Sequence, residues 1–275
     1  MAGLGYRYFP AGHRNRSCYH LAGHGGAKRA VRDVAVQVKS SSFVFRTDVK
    51  SYYASIDHEI LFAQLKKHVS DPRLLDILWQ YMKRTIYDGG LYEDVAVGIP
   101  LGCPLSPLMA ALYLKPIDDA MAETGLFYAR FMDDWVELAP TRWKLRAVIR
   151  TVNQILAKLK VDQHPDKTFI GRISRGFDFL GYRFQSDGLI GVARKTIIRF
   201  VERATWLYEQ GADLDRIGKY VRLWLKWVNS GIDSACISLA NAMNLSRPFV
   251  SGSSTPRAVC GLLIIRHETS CYDKS

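Results

Sequence analysis

The sequence predicts an α+β fold in which a small antiparallel sheet is backed by helices. Two strand-like runs, 43–49 and 127–138, are rich in the aromatic and β-branched residues that favour strands. An amphipathic helix pattern follows the second run directly. With 275 residues, 48% of them hydrophobic, the chain can bury a core in one large domain or in two lobes.

The first half of the chain alternates between helix and strand signals. Asp57 stands where an acidic residue caps a helix, and Pro72 stands in the first turn of the next helix, where proline is tolerated. The predicted elements are a helix near 27–38, a strand at 43–49, helices after Asp57 and Asp71, a turn at 88–90, a strand at 91–97, a loop at 98–105 and a helix from Ser106.

The second half begins with the run 127–138, which predicts a hairpin with Asp133 and Asp134 on its tight turn. Thr141 is placed to cap a helix that extends to about Lys160 and packs beneath the sheet. The elements that follow are a strand after 164–168, a hairpin at 177–184, and two or three basic helices over 195–229 that break at Gly211 and form a separate lobe.

Composition limits the class of protein. The five cysteines are odd in number and scattered, which favours a reduced cytoplasmic protein without a zinc ribbon. We find no apolar signal core at the start and no apolar run of the roughly 20 residues that a membrane span requires. We therefore expect a soluble protein with no membrane partner.

The net charge of +12 is distributed unevenly. Residues 1–46 carry eight Lys and Arg against one acidic residue, and residues 142–230 carry 18 against eight. The centre, 47–141, is acidic, with 14 acidic residues against eight basic ones. An acidic metal site framed by phosphate-binding surfaces has this pattern, and a merely solvated basic surface is the alternative.

Three aspartates are the candidate metal ligands. Asp48 closes the first strand, and Asp133 and Asp134 lie on the predicted hairpin turn. Adjacent carboxylates repel each other, so a turn that crowds them favours a bound cation, and magnesium prefers carboxylate oxygen. Asp118-Asp119 is a second acidic pair, but it lies in a predicted helix, where a solvated helix end is the simpler interpretation.

Five ordered blocks resemble the reverse transcriptases, most closely the bacterial group II intron type and its retroelement and phage-defence relatives. The resemblance covers about residues 15–230 and is specific because all five blocks occur in order. The blocks are Phe45-Arg-Thr-Asp-Val-Lys-Ser-Tyr-Tyr-Ala-Ser-Ile-Asp-His, Gly98-Ile-Pro-Leu-Gly-Cys-Pro-Leu-Ser-Pro-Leu, Tyr128-Ala-Arg-Phe-Met-Asp-Asp, His164-Pro-Asp-Lys-Thr and Phe179-Leu-Gly-Tyr-Arg-Phe.

The resemblance implies a right-hand polymerase fold with four parts. These are a partial fingers region at 1–42, a palm with inserted finger helices at 43–192, a helical thumb at 193–230 and a poorly structured tail at 231–275. It also implies two Mg²⁺ ions, with Mn²⁺ as a substitute, held by Asp48, Asp133, Asp134 and the Val49 carbonyl.

The same resemblance assigns roles to other residues, and several of these have a structural alternative. Tyr53 would exclude a ribose 2′-hydroxyl, or it is an ordinary core aromatic. Lys167 would protonate the leaving pyrophosphate, or it is a surface lysine. Backbone amides around Lys50, Ser51, Tyr52 and Tyr53 would cradle the triphosphate.

Two further segments would contact the nucleic acid. Leu101 and Gly102 would lie near the templating base pair, although Gly102 could be a turn glycine. Leu180 and Gly181 would grip the primer, or they form a plain hairpin.

Tryptophans 206, 224 and 227 are expected in the core of the thumb rather than as platforms for bases. Two features depart from the family pattern. The fingers region is short, so its contacts with the triphosphate are sought among Arg7, Arg14, Arg16, Lys28 and Arg29 or in a partner. Leu101 stands where the family commonly has glutamine.

The function implied is RNA-directed DNA polymerisation, with an RNA template, a DNA primer or RNA:DNA hybrid and deoxynucleotides as partners, and a structured cognate RNA as a further possible one. A catalytically inactive remnant that binds nucleic acid is the alternative, and a two-metal nuclease is a third hypothesis. Retrotransposition, intron mobility and phage defence all remain open as biological roles, because a fold and its site do not determine biology.

Overall fold

The computed structural model describes residues 17–231, and the chain divides between Arg175 and Gly176 into two compact units. The tail predicted from residue 231 onwards lies outside the described residues except for Gly231, and the same is true of Arg7, Arg14 and Arg16. Within the described residues, no helix combines the length and the apolar character needed to cross a membrane.

The first unit begins with helix α1 (Gly26–Gln37), which confirms the amphipathic pattern near 27–38. Strand β1 (Phe43–Asp48) follows, and then the short helix α2 (Tyr52–Ser55). Helices α3 (His58–Leu65) and α4 (Pro72–Met82) start at the predicted caps, since Asp57 and Asp71 accept hydrogen bonds from backbone amides of their first turns.

A hairpin of β2 (Thr85–Asp88) and β3 (Leu91–Asp94) separates these helices from the next pair. The predicted strand at 91–97 is therefore shorter than expected. Helices α5 (Ser106–Tyr113) and α6 (Lys115–Thr124) follow, and the chain then forms β4 (Phe127–Phe131) and β5 (Asp134–Ala139). This hairpin has the two aspartates at its turn, as predicted.

Helix α7 (Arg142–Lys158) is capped by Thr141 and contacts β1 and β5, which confirms its predicted place beneath the sheet. A 3₁₀ turn (Pro165–Lys167) leads to β6 (Phe169–Arg172). The sheet has the order β4-β5-β1-β6, and its pairings are antiparallel. One apolar core joins the sheet to α3, α5 and α7 and buries large side chains such as Phe45, Tyr113 and Trp135.

The second unit opens with a three-stranded antiparallel sheet of β7 (Phe177–Phe179), β8 (Tyr182–Gln185) and β9 (Gly188–Val192). The first two strands confirm the predicted hairpin. The third strand was not predicted, because its five residues include two glycines and only two β-branched residues, Ile190 and Val192. Helices α8 (Arg194–Glu209) and α9 (Leu214–Asn229) follow, and their core contains Phe200, Leu207 and Val221.

Candidate functional site

The strand register brings the three predicted aspartates to one end of the sheet. Asp48 ends β1 and lies directly opposite Asp134, the first residue of β5. Residues directly opposite in an antiparallel pair point to the same face, with Cβ atoms about 5 Å apart. Asp133 is in the turn between β4 and β5, and its carbonyl accepts a hydrogen bond of 3.3 Å from the amide of Val49.

Burial and the repulsion of neighbouring charges raise the pKa values of Asp133 and Asp134 above those of ordinary aspartates. Burial raises the pKa of Asp134 to about 6, and the charges of Asp48 and Asp133 add to that effect while Arg46 opposes it. The pKa of Asp133 is also raised, first by burial and then by the charge of Asp48. Crowded carboxylates of this kind are what a cation would stabilise.

Two cationic side chains already face the carboxylates. The Lys167 ammonium donates to both oxygens of Asp48, at 2.9 and 3.0 Å. The Arg46 guanidinium donates to both oxygens of Asp134, from Nε at 3.1 Å and from Nη2 at 2.8 Å. Across residues 17–231, no three His, Cys, Asp or Glu side chains converge as a ready metal cage.

The donor set nevertheless fits a hard divalent cation. Asp48, Asp133 and Asp134 supply only oxygen, the ligand type that Mg²⁺ and Mn²⁺ prefer over nitrogen and sulfur. Asp48 and Asp134 each carry a compensating positive group, so the site is built for positive charge. The backbone of Val49, the fourth candidate ligand, is fixed beside them by the hydrogen bond from its amide to the Asp133 carbonyl.

The turn that carries Asp133 is held from both sides. Met132 has a left-handed backbone, with φ of 58°, which is uncommon for a residue other than glycine. Its amide donates to Nδ1 of His20 at 3.0 Å, and its carbonyl accepts from Nη1 of Arg130 at 2.8 Å. Because Nδ1 of His20 accepts, the ring proton is assigned to Nε2, which faces the Pro107 carbonyl at 3.4 Å. Burial, and then Arg130, lowers the pKa of His20 to about 4.

The prediction that Asp118 belongs to a solvated helix end is wrong. Asp118 is buried, and Arg130 donates to both of its oxygens, from Nε at 2.7 Å and also from Nη2. Tyr128 donates to it at 2.9 Å. Asp119 is exposed, as that interpretation required. Asp118 therefore neutralises the buried arginine that holds the carboxylate turn.

The residues predicted to bind the nucleotide follow β1 directly. The amide of Lys50 donates to the Asp162 carbonyl at 2.9 Å, so it is not available for a triphosphate. Tyr52 is a core residue whose hydroxyl donates to the Ala110 carbonyl. Tyr53 is half-buried, and its hydroxyl lies 3.9 Å from the Met132 sulfur. Burial, and then Asp133, raises the pKa of Tyr53. The backbone amides that remain as candidates for binding a triphosphate are those of Ser51, Tyr52 and Tyr53.

The loop after β3 exposes the next predicted residues. Leu101 is 80% exposed, and Gly102 has φ of +82° with open space where a side chain would project. Gly98 differs, because a Cβ there would lie 2.9 Å from Cα of Ala54 and 3.0 Å from the Tyr53 carbonyl oxygen. Gly98 thus sets the close approach of this loop to the segment that carries Tyr53.

The second unit contains the residues predicted to grip the primer. Leu180 and Gly181 form the two-residue turn between β7 and β8, both with positive φ, 48° and 86°. They border a groove of about 420 Å³ lined also by Thr196, Arg199, Phe200, Tyr220, Trp224 and Trp227. A bulky residue with positive φ is strained, and such strain is concentrated at functional sites.

The expectation that the tryptophans lie in the thumb core is only partly correct. Trp224 stacks on Phe200 with ring centroids 4.1 Å apart. Trp206 is 44% exposed and stacks under Arg203, and Trp227 is 37% exposed at the groove. Helix periodicity identified the helices but not which of their aromatic residues reach the surface.

Sequence reasoning missed two residues of the first unit's site, Arg46 and His20. Arg46 lies within the first resembling block, two residues before Asp48, and that spacing in a strand places both on one face. This signal could have identified it. His20 lies in a stretch that the sequence left unplaced, and only the pairing of that stretch with β4, through the amide of Tyr19 and the carbonyl of Arg130, brings it to the turn.

Comparison with known proteins supports the resemblance. The family model described as reverse transcriptase (RNA-dependent DNA polymerase) matches residues 10–184. Protein YkfC of Escherichia coli is 25% identical over 56% of this chain and 51% of its own length. The group II intron-encoded protein LtrA of Lactococcus lactis is 21% identical over 49% of this chain and 22% of its own length. The chain thus spans about half or less of the length of these relatives.

Solved structures agree on the fold. Telomerase from Candida albicans, determined in a complex with a fragment of telomeric RNA, matches 79% of this chain and 44% of its own with a TM-score of 0.54. Telomerase from Candida tropicalis gives the same TM-score over 79% of this chain and 43% of its own. Sequence identities are only 14% and 11%, so this likeness concerns fold alone. It confirms the predicted α+β fold class of the right-hand polymerases.

Proposed function

This chain belongs to the reverse transcriptase family, and we propose that it is an RNA-directed DNA polymerase that adds deoxynucleotides to a primer 3′-hydroxyl. The observation that carries the proposal is that Asp48, Asp133 and Asp134 lie at the same end of the sheet, inside the segment that matches the family. Lys167 donates to Asp48, and the hydroxyl of Tyr53 lies 3.9 Å from the sulfur of Met132, the residue before Asp133, which supports nucleotide addition at this site.

Asp48, Asp133, Asp134 and the Val49 carbonyl would hold two Mg²⁺ ions. Such ions supply charge stabilisation for the attacking and leaving oxygens of a phosphoryl transfer. The chain itself contributes the fixed orientation of the carboxylates. Asp48 is set by the end of β1, and Asp133 is set by a turn that His20 and Arg130 hold at Met132.

Tyr53 would select deoxynucleotides by filling the space beside the sugar. Its half-buried side chain, whose hydroxyl lies 3.9 Å from the Met132 sulfur, supports this role over that of a fully buried core aromatic. We expect Tyr53→Ala to incorporate ribonucleotides at least tenfold more readily relative to deoxynucleotides. The matched control is Tyr87→Ala, since Tyr87 is 64% exposed on the β2–β3 hairpin. An unchanged ratio in Tyr53→Ala would reject the role.

Lys167 would place a positive charge, and a proton, beside the leaving pyrophosphate. An ammonium group there would stabilise the negative charge that develops on the leaving group. Its hydrogen bond of 3.0 Å to Asp48 supports a position within reach of the reacting groups. The exposed fraction of its side chain, 40%, leaves it room to move from the carboxylate to a phosphate.

Template and primer would contact the basic parts of the chain. The groove beside Leu180 and Gly181 has Arg199 and aromatic rings, which suit phosphate and base or sugar contacts. Gly181 packs against Trp227, since a Cβ there would lie 2.9 Å from the ring. We expect Gly181→Ala to weaken primer–template binding severalfold. Gly211→Ala, at another positive φ but in open space, is the control.

The test of the proposal is extension of a labelled DNA primer annealed to RNA, with Mg²⁺ and deoxynucleotides. Lengthening of the primer would support polymerisation. Shortening would instead indicate a nuclease. Binding of the hybrid without any change in length, at all Mg²⁺ and Mn²⁺ concentrations, would indicate a remnant that only binds nucleic acid.

A further inference from the structure

Arg46 joins three separate segments around the carboxylates. It lies on β1 two residues before Asp48, so both side chains are on one face of the strand. Its Nε and Nη2 atoms bind the two oxygens of Asp134 at 3.1 and 2.8 Å. Its Nη1 atom donates to the backbone carbonyl of Lys167 at 3.2 Å. One guanidinium therefore fixes a carboxylate on β5 and the segment that carries the site's lysine.

The contact with Asp134 is a fork that only arginine can make. Two parallel N–H···O bonds restrict both the distance and the plane of the carboxylate, whereas a lysine ammonium acts as a point charge. The side chains of Arg46 and Asp134 are 18% and 15% exposed, so solvent screens this pair less than a surface pair. A carboxylate held in this way has little freedom to rotate.

Arg130 and Asp118 form a second buried fork, but two other ion pairs of the described residues differ from the Arg46 contact. Lys167 approaches Asp48 with a single nitrogen and is 40% exposed. Arg183 and Asp178, in the second unit, are each 38% exposed, and Nη1 of Arg183 donates to Asp178 at 3.0 Å. The Arg46 contact thus differs from the Lys167 and Arg183 pairs in combining burial with a two-point geometry.

We propose that Arg46 is a positioning residue, which sets the orientation of the Asp134 carboxylate and the reach of Lys167 without touching the reacting atoms. This inference rests on the proposed metal-dependent function. If it holds, loss of the fork weakens divalent-cation binding even when the positive charge is retained. Partners that orient metal ligands typically contribute 10- to 100-fold to metal affinity.

The primary test is direct Mn²⁺ binding, measured from the free-ion electron paramagnetic resonance signal, for Arg46→Lys. We expect about tenfold weaker binding than in the native chain, together with a lower rate of primer extension. Arg183→Lys is the matched control, since it makes the same substitution at an ion pair of the second unit, outside the candidate metal ligands, and should change neither quantity. Circular dichroism and thermal unfolding establish that each variant is folded.

A double-mutant cycle separates positioning from a general structural effect. In an Asp134→Asn background, Arg46→Lys should weaken Mn²⁺ binding by less than twofold, because the carboxylate through which Arg46 acts is gone. An equal penalty in both backgrounds would overturn the proposal. So would Arg46→Lys that binds Mn²⁺ within twofold of the native chain.

Arg46→Gln keeps the test decisive if the lysine variant does not fold. Removing a positive charge beside the carboxylates would by itself tighten cation binding, so a purely electrostatic role predicts higher affinity for Mn²⁺. A positioning role predicts lower affinity, and a higher one would overturn it. A native chain that binds no Mn²⁺ and extends no primer would overturn the proposed function as well, whereas normal native binding with unaffected Arg46 variants overturns this inference alone.

Discussion

Replacing Lys167 with methionine should tighten divalent-cation binding while it slows nucleotide addition. Lys167 donates to both oxygens of Asp48, at 2.9 and 3.0 Å, and a divalent cation on Asp48 requires the same oxygens. The ammonium and the cation therefore compete for one carboxylate. The methionine variant keeps the length and the apolar stem of the side chain and removes the competing charge.

The magnitude follows from the exposure of the pair. Two unit charges about 4 Å apart attract by roughly 4 kcal/mol at an effective dielectric constant of 20. The Lys167 side chain is 40% exposed, so solvent screening and side-chain entropy reduce the net contribution to about 1 kcal/mol. Release from that competition corresponds to about fivefold tighter Mn²⁺ binding, since 1.4 kcal/mol is tenfold.

The assay is the Mn²⁺ titration together with the rate of single-nucleotide addition. Lys160→Met is the control, because Lys160 donates a hydrogen bond of 2.7 Å to Asp57, which is not one of the candidate metal ligands, and is 67% exposed. It should leave Mn²⁺ binding unchanged. Weaker or unaltered Mn²⁺ binding in Lys167→Met would refute the competition, and an unaltered rate of addition would refute a role for Lys167 towards pyrophosphate.

Three further predictions concern Gly98, Glu137 and His20. Gly98→Ala should lower the free energy of unfolding by about 2 kcal/mol, more than Gly102→Ala, because both have a positive φ but only Gly98 faces backbone within 3.0 Å; urea denaturation compares the two. Glu137 is 1% exposed, neither of its carboxylate oxygens is hydrogen-bonded within residues 17–231, and burial raises its pKa. While the buried carboxyl stays protonated, the free energy of unfolding should fall by about 1.4 kcal/mol for each pH unit above about 4.3, because the unfolded state has lost that proton. Glu137→Gln should abolish that slope, and parallel pH slopes in the two proteins would contradict the interpretation. The pKa of His20 is lowered to about 4, so between about pH 6.5 and 4 the unfolded state binds a proton that the folded state does not. Native stability should therefore be complete above about pH 6.5 and fall as the pH drops towards 4. His20→Gln should flatten this dependence in denaturation curves, and an unaltered curve would count against it.

Sequence reasoning placed the three candidate aspartates together because they lie at strand ends. A strand that closes on Asp48 and a hairpin with Asp133 and Asp134 at its turn have only a few compatible registers, and an antiparallel pairing brings their ends together. The helix caps at Asp57, Asp71 and Thr141 were equally local signals, and all three accept the expected backbone bonds.

What the sequence did not reveal depends on contacts between distant residues. Asp118 looked like a solvated residue because its partner, Arg130, lies on a different element and is itself buried. His20 reaches the carboxylate turn across 112 residues of sequence. No periodicity or motif in the sequence predicts the contact of Asp118 with Arg130 or the contact of His20 with this turn. Strand β9 was missed for a different reason. Gly188 and Gly191 weaken its strand signal in the sequence, and pairing with β8 forms the strand in the fold.

The most direct test of the central claim compares primer extension by the native chain with that by Asp133→Ala and Asp119→Ala. Both variants remove one carboxylate from an adjacent acidic pair, but Asp119 is exposed on helix α6, away from the sheet end that carries Asp133. We predict Mg²⁺-dependent extension on an RNA template by the native chain and by Asp119→Ala, and its loss in Asp133→Ala. Equal extension by all three proteins would contradict the assignment of the carboxylate site.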